Sequence, residues 1–234
     1  MPRASQFLLP LEGGRSDQFE GFVPGPNLAV VEALQNLLSA QEGVVYIRGP
    51  EGSGKTHLLN ASCDLARRRN LKAFYMRLGD LPVEAADGLG GLESMDLVCI
   101  DDIHRIAGVA PWEHAVFHLF NRMRTSQGRM IISSSQPLSS LRFGLPDLAS
   151  RLAWGIRLQL DPLDDEAKLE ILQLKAQAQG IDLPPDVGRY LLQRGSRNTG
   201  DLLASLEAVR VAALKGKRRI TVPLARDVLA DHTN

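Results

Sequence analysis

The stretch VVYIRGPEGSGKT, residues 44–56, joins an apolar, β-branched run to a glycine-rich loop that ends in lysine and threonine. The loop fits the pattern G-x-x-x-x-G-K-[ST], and residues 57–69 follow it with helical periodicity. Glycines let the backbone curl until several N–H groups point at one anion, and the N-terminus of the following helix adds its positive end. The stretch therefore predicts a strand, a phosphate-binding loop and a helix, a common opening of an α/β fold.

Two side chains of this loop predict contacts with a nucleotide and its metal ion. Lys55 supplies a positive charge for the β- and γ-phosphates, and Thr56 supplies a hydroxyl ligand for Mg²⁺. The predicted cofactors are therefore ADP or ATP together with Mg²⁺. The other cofactor-binding residues predicted in and beside the loop are Gly49, Pro50, Gly52, Ser53, Gly54 and His57. Of these, His57 is expected to pack against the fold rather than to take part in catalysis.

Apolar segments after the loop extend the α/β pattern. Strands are predicted at 44–48, 72–77, 97–100, 129–135 and 156–160. Helices are predicted at 28–40, 57–69 and 112–126. Strands that alternate with helices indicate one parallel sheet, here of five strands, with helices on both of its faces.

The strand pattern ends at Pro162, and only helical periodicity follows. Helices are predicted at 164–179, 185–194, 199–214 and 224–231. We therefore expect three parts: a flexible N-terminal tail at 1–17, a nucleotide-binding α/β domain at 18–161 and a small α-helical domain at 162–234.

Two carboxylates follow the apolar segment 97–100 directly, about 45 residues after the phosphate loop. Ligands of parallel sheets bind at the carboxyl ends of the strands, which favours a functional role for this pair over a solvated turn. Asp101 is predicted to hold Mg²⁺ through water, so that Thr56 and Asp101 form the metal site of the bound nucleotide. Asp102 is predicted to orient or deprotonate an attacking water as a catalytic residue.

Composition excludes several other classes of protein. The chain has 27 Lys and Arg against 27 Asp and Glu, so it lacks the basic excess of a protein that coats nucleic acid by charge. Its two cysteines lie far apart in apolar runs, which indicates reduced core residues and a cytoplasmic location. No apolar run approaches the roughly 20 residues of a membrane span, so no membrane is expected as a partner.

Four further segments carry a resemblance to the AAA+ ATPases, and within them to the bacterial initiator DnaA. They are QFEGFVPGPN at 18–27, GLPDLASRL at 144–152, DPLDDEAKLEILQLKA at 161–176 and LPPDVGRYLL at 183–192. The resemblance implies a P-loop AAA+ module followed by a helical lid. It also implies that Phe22 and Val23 enclose the adenine, and that Arg151 is an arginine finger which acts in trans. The alternative for Arg151 is a surface ion pair with Asp147.

A DnaA-like module with a short apolar N-terminal motif and no DNA-reading domain resembles the Hda family of DnaA-related regulators. That resemblance implies a negative regulator of replication initiation, which binds the sliding clamp (the β subunit of DNA polymerase III) and promotes hydrolysis of ATP on DnaA. The clamp motif comprises Gln6, Phe7, Leu8, Leu9, Pro10 and Leu11. No sequence-specific DNA binding is expected, and the sequence leaves a homodimer open.

Two positions depart from the family pattern. The sensor after the fourth strand corresponds to Ser135, which carries no charge, and the arginine expected in the lid corresponds to Gly200, with Arg197 three residues earlier. Ser135 and Arg197 are kept as predicted nucleotide contacts, but weak or absent ATP hydrolysis by the chain itself is expected.

Two other functions stay open from the sequence. One is a helicase loader or transposition helper ATPase of the DnaC/IstB type, and the other is a self-sufficient ATPase motor. His114 and His118 lie four residues apart on one helix, but no third metal ligand is evident, so a structural pair is expected. The basic run 215–219 is expected to be a solvated turn.

Overall fold

The computed structural model describes residues 18–39, 43–196 and 198–231. The strands are β1 Gly43–Arg48, β2 Ala73–Arg77, β3 Leu97–Asp101, β4 Arg129–Ser134 and β5 Ile156–Gln159. The α-helices are α1 Leu28–Leu37, α2 Lys55–Arg68, α3 Ala110–Thr125, α4 Pro146–Trp154, α5 Asp165–Ala178, α6 Pro185–Arg194, α7 Thr199–Gly216 and α8 Val222–Asp231. Each of the five predicted strands is present within one or two residues of its expected bounds.

The five strands form one parallel sheet in the order β2-β3-β4-β1-β5. The inner strand β3 is buried at every residue, as expected for a strand covered on both faces. Because β1 lies beside β4, and β4 beside β3, the carboxyl ends of these three strands are neighbours. The loop after β1, Asp101 at the end of β3 and the serines at the end of β4 therefore lie at one edge of the sheet.

Helix α4 was not predicted as a helix from the sequence. Pro146 occupies its first position, where the missing N–H is not needed. Leu148 and Leu152 lie one turn apart and are both fully buried in the core of the sheet domain. The helix is short, and its two leucines give too little periodicity to be read without the core against which they pack.

The described chain divides into two compact units. One contains the sheet and α1–α4; it runs to Asp161 apart from the short segments 20–26 and 51–54. The other contains α5–α8 together with those two segments. Asp164 caps α5 by accepting a hydrogen bond from the backbone N–H of Ala167 at 2.8 Å. Buried side chains from α5, α6, α7 and α8 give this unit its own core, including Leu172, Leu191, Leu206 and Ala225.

In the described ranges, no helix has the length and apolar character needed to cross a bilayer.

Candidate nucleotide-binding site

Lys55 begins α2 and is almost fully buried, with 6% of its surface exposed. Its ammonium group donates hydrogen bonds to the carbonyl oxygens of Gly49 at 2.9 Å and Pro50 at 2.8 Å. The N–H of Gly49 in turn donates to the carbonyl of Ser134 at 3.2 Å, which ties the start of the loop to β4. A buried cation at a helix N-terminus is an arrangement suited to a polyphosphate anion.

The glycines of the loop meet the backbone demands that their positions impose. Gly52 and Gly54 have φ angles of +74° and +92°, which side chains of L-residues rarely allow. A β-carbon on Gly54 would also lie 2.7 Å from the ring of Phe22, and one on Gly52 would overlap the side chain of Asn198. The predicted adenine-side residue Phe22 therefore lies directly against the loop. The predicted Val23 is buried and packs with Leu163 and Ala167.

Ser53 offers a test of whether the loop fits a bound anion. Its hydroxyl oxygen is buried, yet it has no hydrogen-bond partner among the described residues. Buried polar atoms in folded proteins are nearly always paired, and an unpaired one calls for an explanation such as a ligand. A hydroxyl left unpaired inside a phosphate-binding loop fits a nucleotide phosphate.

Asp101 is fully buried and accepts hydrogen bonds from three hydroxyl groups. Its Oδ2 accepts from Thr56 at 2.6 Å and from Tyr75 at 2.9 Å, while its Oδ1 accepts from Ser133. The two predicted Mg²⁺ ligands, Thr56 and Asp101, are thus in direct contact. The other two donors were missed from the sequence, because they lie on β2 and β4 and nothing in their local sequence marks them.

Tyr75 acts as a hydrogen-bond donor to Asp101 at any ordinary pH. Burial raises the pKa of its hydroxyl, and the neighbouring Asp101 carboxylate raises it further. The phenol therefore stays protonated and fixes the orientation of the Asp101 carboxylate. This supports a carboxylate held ready for a cation.

Asp102, the predicted catalytic residue, adopts a left-handed backbone conformation with φ +61°. Its backbone N–H donates to the Ser133 hydroxyl at 3.1 Å, and its Oδ2 accepts a hydrogen bond from Nε of Arg77 at 2.9 Å. The hydrogen bond to Asp102 raises the pKa of Arg77, which stabilises the charged guanidinium. Asp102 is therefore engaged by a cation that the sequence analysis did not single out.

Ser135, at the predicted sensor position, follows the end of β4 and lies against His104. Its hydroxyl oxygen lies 3.0 Å from Nε2 of the imidazole. Nδ1 of the same ring lies 4.0 Å from Oδ1 of Asp102. His104 thus lies between the sensor hydroxyl and the predicted catalytic carboxylate, a position that no sequence motif indicated.

His57 follows Thr56 on α2, and its Nε2 lies 2.9 Å from the carbonyl oxygen of Gln18. A carbonyl only accepts, so Nε2 carries the proton in this contact. The contact joins the start of α2 to Gln18, and a role for His57 in nucleotide binding stays a prediction.

Arg151 lies on α4, half-buried between the fully buried Leu148 and Leu152. Across the part of the chain that the structure describes, no hydrogen bond or ion pair engages its guanidinium. The alternative pair with Asp147 is therefore not formed. Asp147 is itself exposed in the first turn of the helix.

Some predicted residues lie outside the described ranges. These are Arg197 and the whole clamp motif, Gln6–Leu11. Gly200 lies in the first turn of α7, and its N–H donates to the side chain of the N-cap Asn198 at 2.8 Å.

The described residues contain no group of three or more His, Cys, Asp or Glu side chains that could hold a metal ion alone. His114 and His118 have ring centroids 6.5 Å apart. A Mg²⁺ ion held by Thr56 and Asp101 would complete its coordination with water molecules and phosphate oxygens.

Two family models match this chain. Residues 14–159, more than half of the chain, match the family model described as the bacterial DnaA ATPase domain. Residues 165–229 match the model described as the lid domain of Hda.

Solved structures show the same fold. Domain III of the replication initiation protein DnaA from Thermotoga maritima is 23% identical over 93% of this chain and 97% of that chain, with a TM-score of 0.82. AMPPCP-bound DnaA from Aquifex aeolicus is 22% identical over 87% of this chain and 68% of that chain, with a TM-score of 0.73. The RuvB Holliday junction branch migration motor of Thermotoga maritima is 18% identical over 92% of this chain and 72% of that chain, with a TM-score of 0.69. The predicted fold class, an AAA+ module with a helical lid, is confirmed.

Proposed function

Because this chain belongs to the bacterial DnaA ATPase-domain family and carries an Hda-type lid, we propose that it is a negative regulator of replication initiation that acts on ATP-bound DnaA. Held on the sliding clamp through residues 6–11, it supplies Arg151 to the nucleotide of DnaA. The guanidinium neutralises charge on the transferring γ-phosphoryl group and accelerates hydrolysis to ADP. The chain itself binds adenine nucleotide and turns it over slowly.

The state of Arg151 is the observation that carries this proposal. The residue projects from a helix whose buried face fixes its direction, and no described residue neutralises it. Asp147 lies one turn away on the same helix, a spacing at which an ion pair can form, yet it does not pair with Arg151. An unengaged arginine on a rigid helix fits a group that acts on a neighbouring molecule.

The phosphate loop supports nucleotide binding by the chain itself. Lys55 would exchange its two carbonyl partners for phosphate oxygens, and Ser53 would gain a partner for its buried hydroxyl. Thr56 and Asp101 would hold Mg²⁺, which neutralises phosphate charge when bound. Slow turnover follows from the engagement of Asp102 by Arg77 and from the neutral Ser135 at the sensor position.

The test is a single-turnover assay of ATP hydrolysis on DnaA, with this chain and DNA-loaded clamp added. Arginine fingers contribute roughly 10³–10⁵-fold to the rate, so we expect Arg151→Ala to bring the rate down to that of DnaA alone. The matched control is Arg226→Ala, which removes an exposed arginine from α8 and should leave stimulation unchanged. Stimulation by Arg151→Ala equal to that of the parent chain would overturn the proposal.

A further inference from the structure

Glu113 is a buried carboxylate outside the nucleotide site. It lies in the first turn of α3 with 1% of its surface exposed. Charged groups are buried at this level only when they are well paired. Its partners are backbone N–H groups rather than a cation: Gly108 and Gly144 donate to Oε1 at 2.6 and 3.1 Å, and Leu145 donates to Oε2 at 2.8 Å.

These donors come from the chain just before two different helices. Gly108 precedes α3, while Gly144 and Leu145 precede α4. Leu145 is the N-cap residue of α4 and has no side chain that could cap the helix. Glu113 therefore supplies from α3 a carboxylate acceptor for the backbone N–H groups of Gly144 and Leu145, directly before α4, where the N-cap side chain offers none.

The position of Arg151 depends on how α4 is anchored. Burial of Leu148 and Leu152 fixes the rotation of the helix about its own axis. The two hydrogen bonds from Gly144 and Leu145 to Glu113 fix where the helix begins. Arg151 lies six residues after Leu145, about 9 Å along the axis, so a shift of the start moves the guanidinium with it.

We propose that Glu113 is a positioning residue that holds α4 and thereby sets where Arg151 meets the nucleotide of DnaA. The inference rests on the proposed function of Arg151. Transition-state stabilisation by a guanidinium depends steeply on geometry, and a misplacement of about 1 Å costs up to roughly 100-fold in rate. A loosened α4 should therefore reduce the rate of hydrolysis without weakening assembly with DnaA.

Glu113→Gln is the decisive variant because it keeps the size of the side chain. Two N–H groups point at one carboxylate oxygen and one points at the other. In either orientation an amide places its NH₂ group against at least one of these donors, and it carries no charge. The matched control is Glu93→Gln. It removes the charge from a surface carboxylate that pairs with Arg122 of α3 at 3.2 Å.

The full-length variants are compared in the clamp-dependent assay, with the maximal stimulated rate and the half-saturating concentration measured separately. For Glu113→Gln we expect the maximal rate to fall by roughly 10- to 100-fold, with half-saturation and nucleotide affinity unchanged. Amide hydrogen exchange in the segment 144–154 should become faster in this variant, whereas Glu93→Gln should behave as the parent chain. A loss confined to half-saturation, or a general loss of nucleotide binding, would overturn the inference.

The two proposals fail in different ways. If Arg151→Ala abolishes stimulation while Glu113→Gln stimulates as well as the parent chain, the positioning role is wrong and the finger stands. If Arg151→Ala stimulates normally, the finger is wrong, and the positioning role is wrong with it. Should Glu113→Gln not fold, Glu113→Asp keeps the charge on a shorter side chain. For this variant we expect a smaller fall in the maximal rate, again with the half-saturating concentration unchanged.

Discussion

Arg77 holds Asp102, the carboxylate that is predicted to orient or deprotonate an attacking water. Its Nε donates to Asp102 at 2.9 Å, and its side chain is 45% exposed, so the pair lies at the rim of the site. A carboxylate oxygen that already accepts a hydrogen bond from a cation is less free to orient a water molecule. Under the proposed function, we therefore expect the pair to restrain ATP hydrolysis by this chain.

Arg77→Gln should raise the intrinsic ATP turnover of the chain by about tenfold, because a freed general base contributes at least that much. The measurement is steady-state ATP hydrolysis by the chain alone, without DnaA or clamp. Adding Lys55→Ala to Arg77→Gln should abolish the increase in turnover, because the increase depends on ATP bound at the phosphate loop.

Arg122→Gln is the matched control, since it breaks a comparable exposed pair with Glu93. Its turnover should equal that of the parent chain. Unchanged turnover in Arg77→Gln would show that Asp102 is not restrained by this arginine.

At the scale of elements, the junction between α4 and β5 depends on a glycine. A β-carbon on Gly155 would lie 2.9 Å from the carbonyl carbon of Val44 in β1. Its φ of −77° is ordinary, so the requirement for glycine is steric and not conformational. Strand β5 can pair with the edge of β1 only where no side chain separates their backbones at this point.

Gly155→Ala should lower the free energy of unfolding of the sheet unit by about 1–3 kcal/mol, the usual cost of overpacking. Amide exchange should accelerate in β1 and β5 more than in β3, which this contact does not touch. Gly90→Ala is the control, because nothing lies within 4 Å of its added β-carbon and its φ is −66°. Equal stability of the two variants would contradict this account of the junction.

Local sequence predicts most of the strands and helices of this fold. All five strands and seven of the helices were anticipated from periodicity and from glycine and proline positions. Helix α4 was missed, since its two buried leucines supply little pattern and the N–H of its N-cap residue Leu145 donates to Glu113 of another helix. A contact with a residue 32 positions away leaves no mark in the sequence beside the helix.

At the scale of the whole molecule, the proposed function separates attachment from catalysis. The formal net charge is zero, so the chain has no excess charge to hold it on DNA. Attachment is assigned to residues 6–11, which lie outside the described ranges, and catalysis in trans to Arg151. The two activities should therefore be lost independently.

Gln6→Ala combined with Leu11→Ala should abolish binding to the sliding clamp and leave nucleotide affinity unchanged, because the phosphate loop is untouched. Clamp binding is measured by surface plasmon resonance and nucleotide affinity by calorimetry. Arg151→Ala serves as the converse control, with clamp binding kept and stimulation lost. Undiminished clamp affinity in the double variant would rule out residues 6–11 as the attachment.

The phosphate loop, the alternation of strands and helices, and the Asp101–Asp102 pair can be predicted from the amino-acid sequence, because each consists of residues adjacent along the chain. The contacts that these residues make depend on the folded sheet. Tyr75, Arg77 and Ser133 lie 26, 25 and 32 residues from their carboxylate partners. The parallel register, with Arg77 opposite Asp101, brings them to one edge of the sheet. Pairing across strands depends on strand order and register, which are set by the packing of the whole sheet and not by any local pattern.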